Sequence, residues 1–381
     1  MAANYGIVEY VMCGLMKRIT IVAFVLASIT MASGQDDTTA GREYLYYHPE
    51  QTYGSMSMVS PWGLILNGGF DILQLDGKDR RLLSIPYGTG FRNFIDNTFR
   101  HPGATISQIG WGNWLATEVL PLNWTRDGAR WIPNYQLHLI GSGVSYRMLT
   151  EWYDHQGIAS PEIWSIATVT AMHVVNEIVE NEGYVGYNTD PIADFLIFNT
   201  LGIALFMNDD VAEFFSKKMH MTDWSSLPMI TFPSGQLGNN GLNYSFKVEL
   251  PRSDRLRLWG IMGMGTLLGA SYVYDKAHEH SISIGAGIRG KELINIDPIA
   301  RVLTISIVPT GGIYWDRNNS LLASLTVSGQ VDQSAILNVY PGVIKISDDI
   351  SPAIWAAWGS NGTIGFGIGV RGAIGVGYRN R

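Results

Sequence analysis

The hydrophobic pattern of this chain changes its period near the middle. Between about 131 and 220, long apolar runs have helical spacing and helical boundary residues. Pro133 and Pro161 suit first helical turns, and Gly157 suits a helix end. The predicted helices span 133–155, 160–182, 189–207 and 209–219. The expected N-caps are Ser160, Asp190 and Asp209.

From about Gly241 onward, apolar positions alternate with polar or glycine positions, as they do in half-buried strands. The clearest alternating runs are 244–250, 282–289, 303–307, 321–327 and 364–370. Turn residues in 316–319 and 360–362 separate some of these runs. The spacing predicts about ten strands between Gly241 and Tyr378.

The residues before the helical part give weaker signals. The stretch 62–75 alternates like a strand, and 86–123 is irregular and rich in aromatic and glycine residues. We therefore expect an N-terminal irregular or strand-forming segment over 35–130, a helical unit over 131–220 and an antiparallel β-meander over 221–381.

These patterns predict an α+β fold, with a central helical unit and a meander that we interpret as an outer-membrane β-barrel of about 10–12 strands. Only 15% of the residues are charged, 11% are aromatic and 43 are glycine, a composition typical of tight turns and a lipid-facing surface. A soluble sandwich is the alternative, since strands with one apolar face suit both architectures.

A secretory signal peptide is expected over 1–34. If translation starts at Met16, a basic pair precedes the apolar run 19–31 and the small residues 32–34. A membrane anchor is the alternative, although the run is short for a spanning helix, which needs about 20 residues. Cys13 precedes the signal, so the mature chain would lack cysteine ligands, nucleophiles and disulfides. We expect an outer-membrane location, with the periplasm as the alternative.

The net charge and the position of the glycine motifs argue against two kinds of ligand, nucleic acids and dinucleotides. The net charge of −7 argues against nucleic acid. Two G-x-G-x-x-G matches, 285–290 and 367–372, lie inside alternating runs, whereas a dinucleotide site needs the motif between a strand and a helix. We predict no cofactor.

Candidate chemistry lies in polar side chains within the apolar helical runs. His173 and Glu177 are four residues apart, and Asn176 and Glu180 lie on the same stripe of that helix. Burying such groups costs several kcal/mol unless they are paired or hydrogen-bonded, so the stripe needs partners, water or a function. The predicted polar network is His138, Arg147, Glu151, His173, Asn176, Glu177, Glu180 and Asp194.

Three interpretations of this network stay open. It could orient the helices, with Arg147 neutralising Glu177 or Asp194 and His173 bridging them. It could line a polar cavity that binds or passes a solute. In the third interpretation Glu177 is a general base beside His173 or His138, which needs a carboxyl pKa tuned toward neutrality.

No metal site is predicted. The H-x-x-x-E spacing of His173 and Glu177 is a weaker signal than H-E-x-x-H, which supplies two histidines and a base. His278, Glu279 and His280 are candidates by composition only, and their position between two strands predicts an exposed turn.

A family resemblance follows from the order of several polar and glycine residues. These are Asn134, His138, Gly141, Tyr146, Asn176, Glu177, Glu180, Asp190, Asp194 and Gly202. This order resembles an uncharacterised family, a domain of unknown function, of exported Gram-negative envelope proteins. A fainter similarity reaches the VanZ-like membrane proteins. The resemblance covers about 131–206 and implies an envelope location without an activity.

We therefore expect an exported bacterial envelope protein that is structural or solute-passing rather than enzymatic, with membrane lipid as partner and an unidentified ligand. The alternative is a membrane-associated hydrolase of lipid or cell-wall material, with Glu177 and His173 as its acid–base pair.

Overall fold

The computed structural model is helical in the first half of the chain and a β-sheet in the second, which confirms the α+β class. It describes residues 43–121, 132–297, 302–347 and 350–380. The expected signal peptide, 1–34, lies outside the described residues.

The helices over the predicted helical unit confirm the sequence pattern. The α-helices of the described residues are α1 (Pro61–Gly68), α2 (Tyr87–Ile95), α3 (Pro102–Ile109), α4 (Trp111–Trp114), α5 (Ser142–His155), α6 (Pro161–Asn181), α7 (Asp190–Ala193), α8 (Thr200–Phe206) and α9 (Asp209–Glu213). Wider π-helical turns extend them over Asp96–Arg100, Leu115–Val119, Ile132–Gly141, Asp194–Asn199 and Phe214–Lys218.

Two of the three expected N-caps were wrong by one residue. Asn208 caps α9, because its side-chain oxygen accepts from the backbone N–H groups of Asp210 and Val211. Thr189 holds the cap position of α7. Ser160 is at the cap position of α6, as predicted, but it has a left-handed backbone and its side chain makes no capping hydrogen bond.

The strand-like interpretation of 62–75 was also wrong, because helices occupy this stretch. The alternating stretch 62–75 forms α1 and a short 3-10 helix, Asp71–Gln74. Pro61 fits the first turn of α1, and the Ser60 hydroxyl accepts from the N–H of Gly63. These start signals outweigh the short apolar alternation, which is ambiguous between strand and helix.

The second half forms a single 13-stranded, mostly antiparallel sheet. Its strands are β1 (Thr222–Asp223), β2 (Met229–Phe232), β3 (Gln236–Leu237), β4 (Asn243–Glu249), β5 (Leu256–Gly263), β6 (Gly265–Asp275), β7 (His280–Asp297), β8 (Val302–Arg317), β9 (Ser320–Ser328), β10 (Ala335–Val339), β11 (Ala353–Trp358), β12 (Ile364–Gly369) and β13 (Gly375–Arg379). The ten strands β4 to β13 confirm the number predicted after Gly241. With the three short strands before them, the sheet has 13 strands, which is more than the predicted 10–12.

The sheet is not closed into a barrel, which corrects that prediction. The strand order runs β1-β4-β5-β6-β7-β8-β9-β10-β11-β12-β13-β2-β3, with β1 and β3 at the edges of the described ladder. Both edge strands come from one segment, 222–237, in which β1 pairs with β4 and β3 pairs with β2. Trp224 N donates to Asn243 O at 2.8 Å, and Gly238 N donates to Met229 O at 2.7 Å. At its far end this segment pairs in parallel with β13, so its short strands interrupt the ladder where a barrel would close.

The two faces of the sheet differ in exposure. On β12, Ile364, Phe366 and Ile368 are exposed while the glycines between them are buried. The inner face packs a cluster of buried aromatic residues, and the Trp259 and Tyr314 ring centroids lie 5.0 Å apart. The other members of this aromatic cluster are Trp224, Tyr340 and Trp355.

The helical unit packs onto the start of the sheet. Ser145 on α5 hydrogen-bonds the hydroxyl of Tyr244 on β4 at 2.6 Å, and Thr266 on β6 donates to the Gln136 side chain at 2.9 Å. Leu242, Tyr244 and Met262 also join the hydrophobic core formed by α5 and α6. This junction places helical polar groups over the sheet.

In the described residues no lone helix has both the length and the apolar content to cross a membrane. One bent pair, Asp190–Phe206 with Asp209–Lys218 at 89°, meets both criteria together.

Candidate functional site

A polar chamber lies between the helical unit and the sheet, with a volume of about 120 Å³. Its helical wall is polar and contains Asn134, His138, His173, Asn176, Glu180, Asp190 and Asp194. Its sheet wall is mainly apolar and contains Met264, Ile288, Leu293, Ile305 and Ile307, together with Arg289. The chamber therefore combines hydrogen-bonding groups on one side with an apolar surface on the other.

A chain of side-chain contacts runs through the helical wall. Asp194 Oδ2 lies 3.4 Å from His138 Nε2, and His138 Nδ1 lies 3.2 Å from Asn199 Oδ1. Ser142 Oγ lies 3.0 Å from the same Asn199 oxygen and 2.6 Å from His173 Nε2. All five residues are buried. We call them the polar chain.

Local helix geometry brings these groups together. His138 lies in the π-helical turn Ile132–Gly141, and Asp194 and Asn199 stand at the two ends of another, Asp194–Asn199. A π-turn shifts side chains around the helix axis and is frequent at functional sites. Gly202 lets the segments approach closely, since a Cβ there would lie 2.1 Å from Leu139 O.

The contacts assign the protons of the polar chain. An amide oxygen only accepts, so both His138 Nδ1 and Ser142 Oγ donate to Asn199 Oδ1. The Ser142 hydroxyl has then given its one proton and accepts from His173 Nε2. Burial lowers the pKa of both imidazoles. Because His138 carries its proton on Nδ1, a second proton on Nε2 would make the ring an imidazolium ion, which its burial disfavours.

Glu177 lies one helical turn beyond His173 and is only 2% exposed. Its Oε2 atom makes no hydrogen bond among the described residues. Burial and the nearby charges of Asp190 and Glu180 raise the pKa of Glu177 well above its ordinary value. The protonated form of Glu177 is therefore favoured over a wider pH range than in an ordinary glutamate. The described residues that line the chamber do not include Glu177 or Ser142.

Arg147 and Glu151 form a separate anchor, contrary to the prediction that Arg147 would neutralise Glu177 or Asp194. Arg147 bonds Glu151 at 3.2 Å and Asp209 at 2.7 Å. The Glu151 carboxylate also accepts from the backbone N–H groups of Tyr46 and Tyr47. This pair therefore holds the first described residues against α5 and lies outside the chamber lining.

The structure brings together most of the predicted network. Asn176 lines the chamber and also donates to the Gly68 carbonyl at 3.2 Å, and Glu180 lines the chamber on the same helix. Sequence reasoning left out Ser142, Asp71 and Arg289. A serine near a helix start and single charges in strand-like runs give no signal of a shared site.

Asp71 closes the chamber from the side of α1. Its Oδ1 accepts from Leu242 N at 3.1 Å and from the side chain of Gln74, while its Oδ2 has no partner among the described residues. Burial raises the pKa of Asp71 to about 7, against the opposing effect of these hydrogen bonds. The chamber thus contains a carboxyl group that is partly neutral near physiological pH.

Metal chemistry finds no support in the described residues, because they contain no group of three or more histidine, cysteine or acidic side chains that could hold an ion. His278 lies in the predicted exposed turn between β6 and β7, where its ring bonds Asp275 at 2.9 Å.

No family model, no curated protein and no solved structure matches this chain. The resemblance to exported envelope proteins therefore stays a prediction.

Proposed function

We propose that this is an exported bacterial envelope protein whose outer sheet face contacts lipid, and that its polar chamber binds the polar head of a small amphiphilic ligand. The observation that carries the proposal is the outer face of the sheet. Large apolar side chains occupy alternate positions there and remain exposed, an arrangement typical of strands that face lipid.

The exposed positions form a surface that continues across neighbouring strands. Leu268 on β6 is 59% exposed and pairs directly with Ala286 on β7, beside Ile284, which is 58% exposed. Phe366 on β12 is 56% exposed opposite Tyr378 on β13, with ring centroids 5.6 Å apart. Contiguous apolar surfaces of this kind are rare on soluble monomers and mark contact with lipid or protein.

The inner face supports a binding function more than a pore through the sheet. The aromatic cluster occupies much of that side and leaves a cavity of about 50 Å³, and the buried Lys247 and Asp316 form an ion pair there at 2.6 Å. Lys247 Nζ also lies 5.4 Å from the Trp224 ring centroid. We therefore assign the proposed ligand to the chamber beside the sheet.

The chamber chemistry favours an amphiphile with a hydrogen-bonding, cationic or neutral head. Acidic and imidazole groups on the helical wall can donate to or accept from such a head, and the apolar sheet wall suits a short hydrocarbon chain. Asp190 and Asp194 disfavour an anionic head.

The lipid proposal is tested by fractionating cells that make the full chain, followed by a carbonate wash of the membranes. We expect recovery in the outer-membrane fraction after the wash, because an apolar sheet face in lipid resists extraction by alkali. A periplasmic marker protein is the control for incomplete lysis. Release with the soluble periplasmic contents would show that the exposed face does not contact lipid.

A membrane-associated hydrolase is the second candidate, favoured by the 2.6 Å contact between Ser142 Oγ and His173 Nε2, a distance typical of a nucleophile and its base. The polar chain opposes this role, since Ser142 donates to Asn199 and is fully buried. The originally predicted acid–base pair of Glu177 and His173 makes no direct hydrogen bond among the described contacts. We therefore prefer ligand binding.

A further inference from the structure

Arg80 is a buried cation with too few acceptors. It is 3% exposed, and Nη2 donates to the Gln74 carbonyl at 3.2 Å. Its Nε and Nη1 atoms make no hydrogen bond among the described residues. A guanidinium offers five N–H donors, and a buried charge is costly unless it is paired. This group therefore calls for an acceptor that the described residues do not supply.

Arg80 lines a second cavity, with a volume of about 180 Å³, at one end of the sheet. Arg379 on β13 and Thr363, just before β12, share this lining. Both are buried. The cavity is separate from the polar chamber, and the two linings have no residue in common.

The other charges around this cavity are already engaged. Lys78 pairs with Glu182 at 2.6 Å, and Asp79 pairs with the exposed Arg81 at 2.7 Å. Asp332 is the remaining carboxylate of the lining, and it accepts from the Asn361 side chain at 2.8 Å. Two carboxylates, Asp332 and Asp76, lie near the two guanidinium groups, and each already accepts hydrogen bonds from other donors, so neither satisfies Nε and Nη1 of Arg80.

The backbone holds Arg80 in place. Leu237 N on β3 donates to Arg80 O at 2.9 Å, and Arg81 forms a β-bridge with Gln236. The guanidinium is thus presented from an anchored segment, which lowers the ordering cost of binding.

We propose that the cavity lined by Arg80, Arg379 and Thr363 binds an oxyanion of the phosphate type. A guanidinium presents paired N–H groups that match phosphate oxygens, and the Thr363 hydroxyl can donate a further hydrogen bond. The phosphate could be a free ion or belong to a lipid headgroup, and the two sources share this recognition chemistry.

The electrostatics agree with this geometry. Burial, followed by the nearby charge of Arg379, lowers the pKa of Arg80 to about 9. An oxyanion between the two guanidinium groups would replace their mutual repulsion with attraction to a shared partner.

The first experiment titrates inorganic phosphate into the full chain in a non-ionic detergent, using calorimetry at constant ionic strength. We expect saturable binding to the wild type and at least about tenfold weaker binding to Arg80→Gln, since charge-assisted hydrogen bonds are lost. Arg81→Gln is the matched control, because it removes the neighbouring exposed arginine, and it should bind within about twofold of wild type. Equal affinity in Arg80→Gln and the wild type would overturn the proposal.

Two further measurements keep the test valid if Arg80→Gln does not fold, and they identify whether the phosphate is a free ion or a lipid headgroup. Arg379→Gln removes the second guanidinium and should weaken phosphate binding in the same direction. Vesicles of phosphatidylcholine with and without phosphatidylglycerol, each tested against free phosphate, separate the two sources. Competition by the anionic vesicles indicates a headgroup, and its absence indicates a free ion. The free-phosphate titration is independent of the proposed lipid contact of the sheet. A wild type that binds neither probe would refute the site.

Discussion

Individual buried side chains decide what the polar chamber can bind. His138 and His173, which line it, are neutral because burial lowers the pKa of each, and burial raises the pKa of Asp71 in the same lining to about 7. The helical wall is consequently less charged than its composition suggests. Neutral imidazole and carboxyl groups can both donate and accept, which suits a hydrogen-bonding ligand better than a strongly charged one.

The raised pKa of Glu177 makes stability depend on pH. The folded state binds a proton that the unfolded state releases above about pH 4.5, the ordinary value for this side chain. The stabilising contribution of this proton is full below that pH and is lost as pH rises through the folded pKa. Glu177→Gln mimics the protonated form, so the variant should gain stability over the wild type as pH increases. Urea unfolding of the protein in lipid vesicles at pH 4.5, 6 and 8 measures this difference.

Glu162→Gln, at an exposed position on the same helix, is the matched control and should leave the pH profile of the wild type unchanged. A constant difference between Glu177→Gln and wild type at all three pH values would contradict the buried-acid assignment. Turnover of a lipid or cell-wall substrate that disappears in the folded Glu177→Gln variant would instead favour the hydrolase.

The site residues were predicted correctly where their spacing along a single helix showed that they share a face. The stripe with His173, Asn176 and Glu180 was visible because residues three or four apart share a helix face. Which other helices meet that stripe depends on packing, and a single sequence does not encode it locally. Arg147 was therefore assigned to the wrong carboxylates, and Ser142 was overlooked as a small residue without charge.

At the scale of elements, close contact between helices depends on a few glycines. Gly202→Ala places a Cβ 2.1 Å from Leu139 O, a backbone atom that cannot move alone. We expect a loss of about 1–3 kcal/mol in the free energy of unfolding, as for other overpacked cores. Thermal or urea unfolding measures the change.

Gly103→Ala is the control on α3, where an added Cβ meets nothing within 4 Å. Because alanine favours helix, this change should be neutral or stabilising by up to about 1 kcal/mol. Equal effects at the two glycines would show that helix propensity, rather than the approach of Gly202 to Leu139, determines the outcome.

Helices and strands were predictable where the hydrophobic pattern kept one period over a long stretch. The limits of α6 and the ten strands from β4 onward follow from spacing and turn residues. The helix α1 was missed because eight residues carry too short a pattern to separate strand from helix. The strands β1 to β3 have only two to four residues each and depend on partners distant in sequence.

For the whole molecule, the outer sheet face is the feature that relates structure to location. Ile284→Lys puts a charge on that face, at a position 58% exposed. If the face lies in lipid, the variant should lose about 2–4 kcal/mol near the bilayer centre and less toward its borders. Urea unfolding in phosphatidylcholine vesicles gives the value.

Leu83→Lys, at an apolar position 80% exposed in the helical half, is the control and should change stability by less than about 0.5 kcal/mol. A similarly small effect for Ile284→Lys would place the outer sheet face in water.

The parallel pairing of β2 with β13 has a consequence for biogenesis. The last strand of the sheet to be synthesised aligns beside one of the first, while every strand between them pairs antiparallel with a neighbour. Contacts between such distant parts of a chain form slowly, because the loop entropy is lost before the pairing energy is gained. A nascent chain that lacks β13 exposes the free edge of β2 beside an apolar surface. Such a chain is therefore prone to aggregate until the final strand has been made.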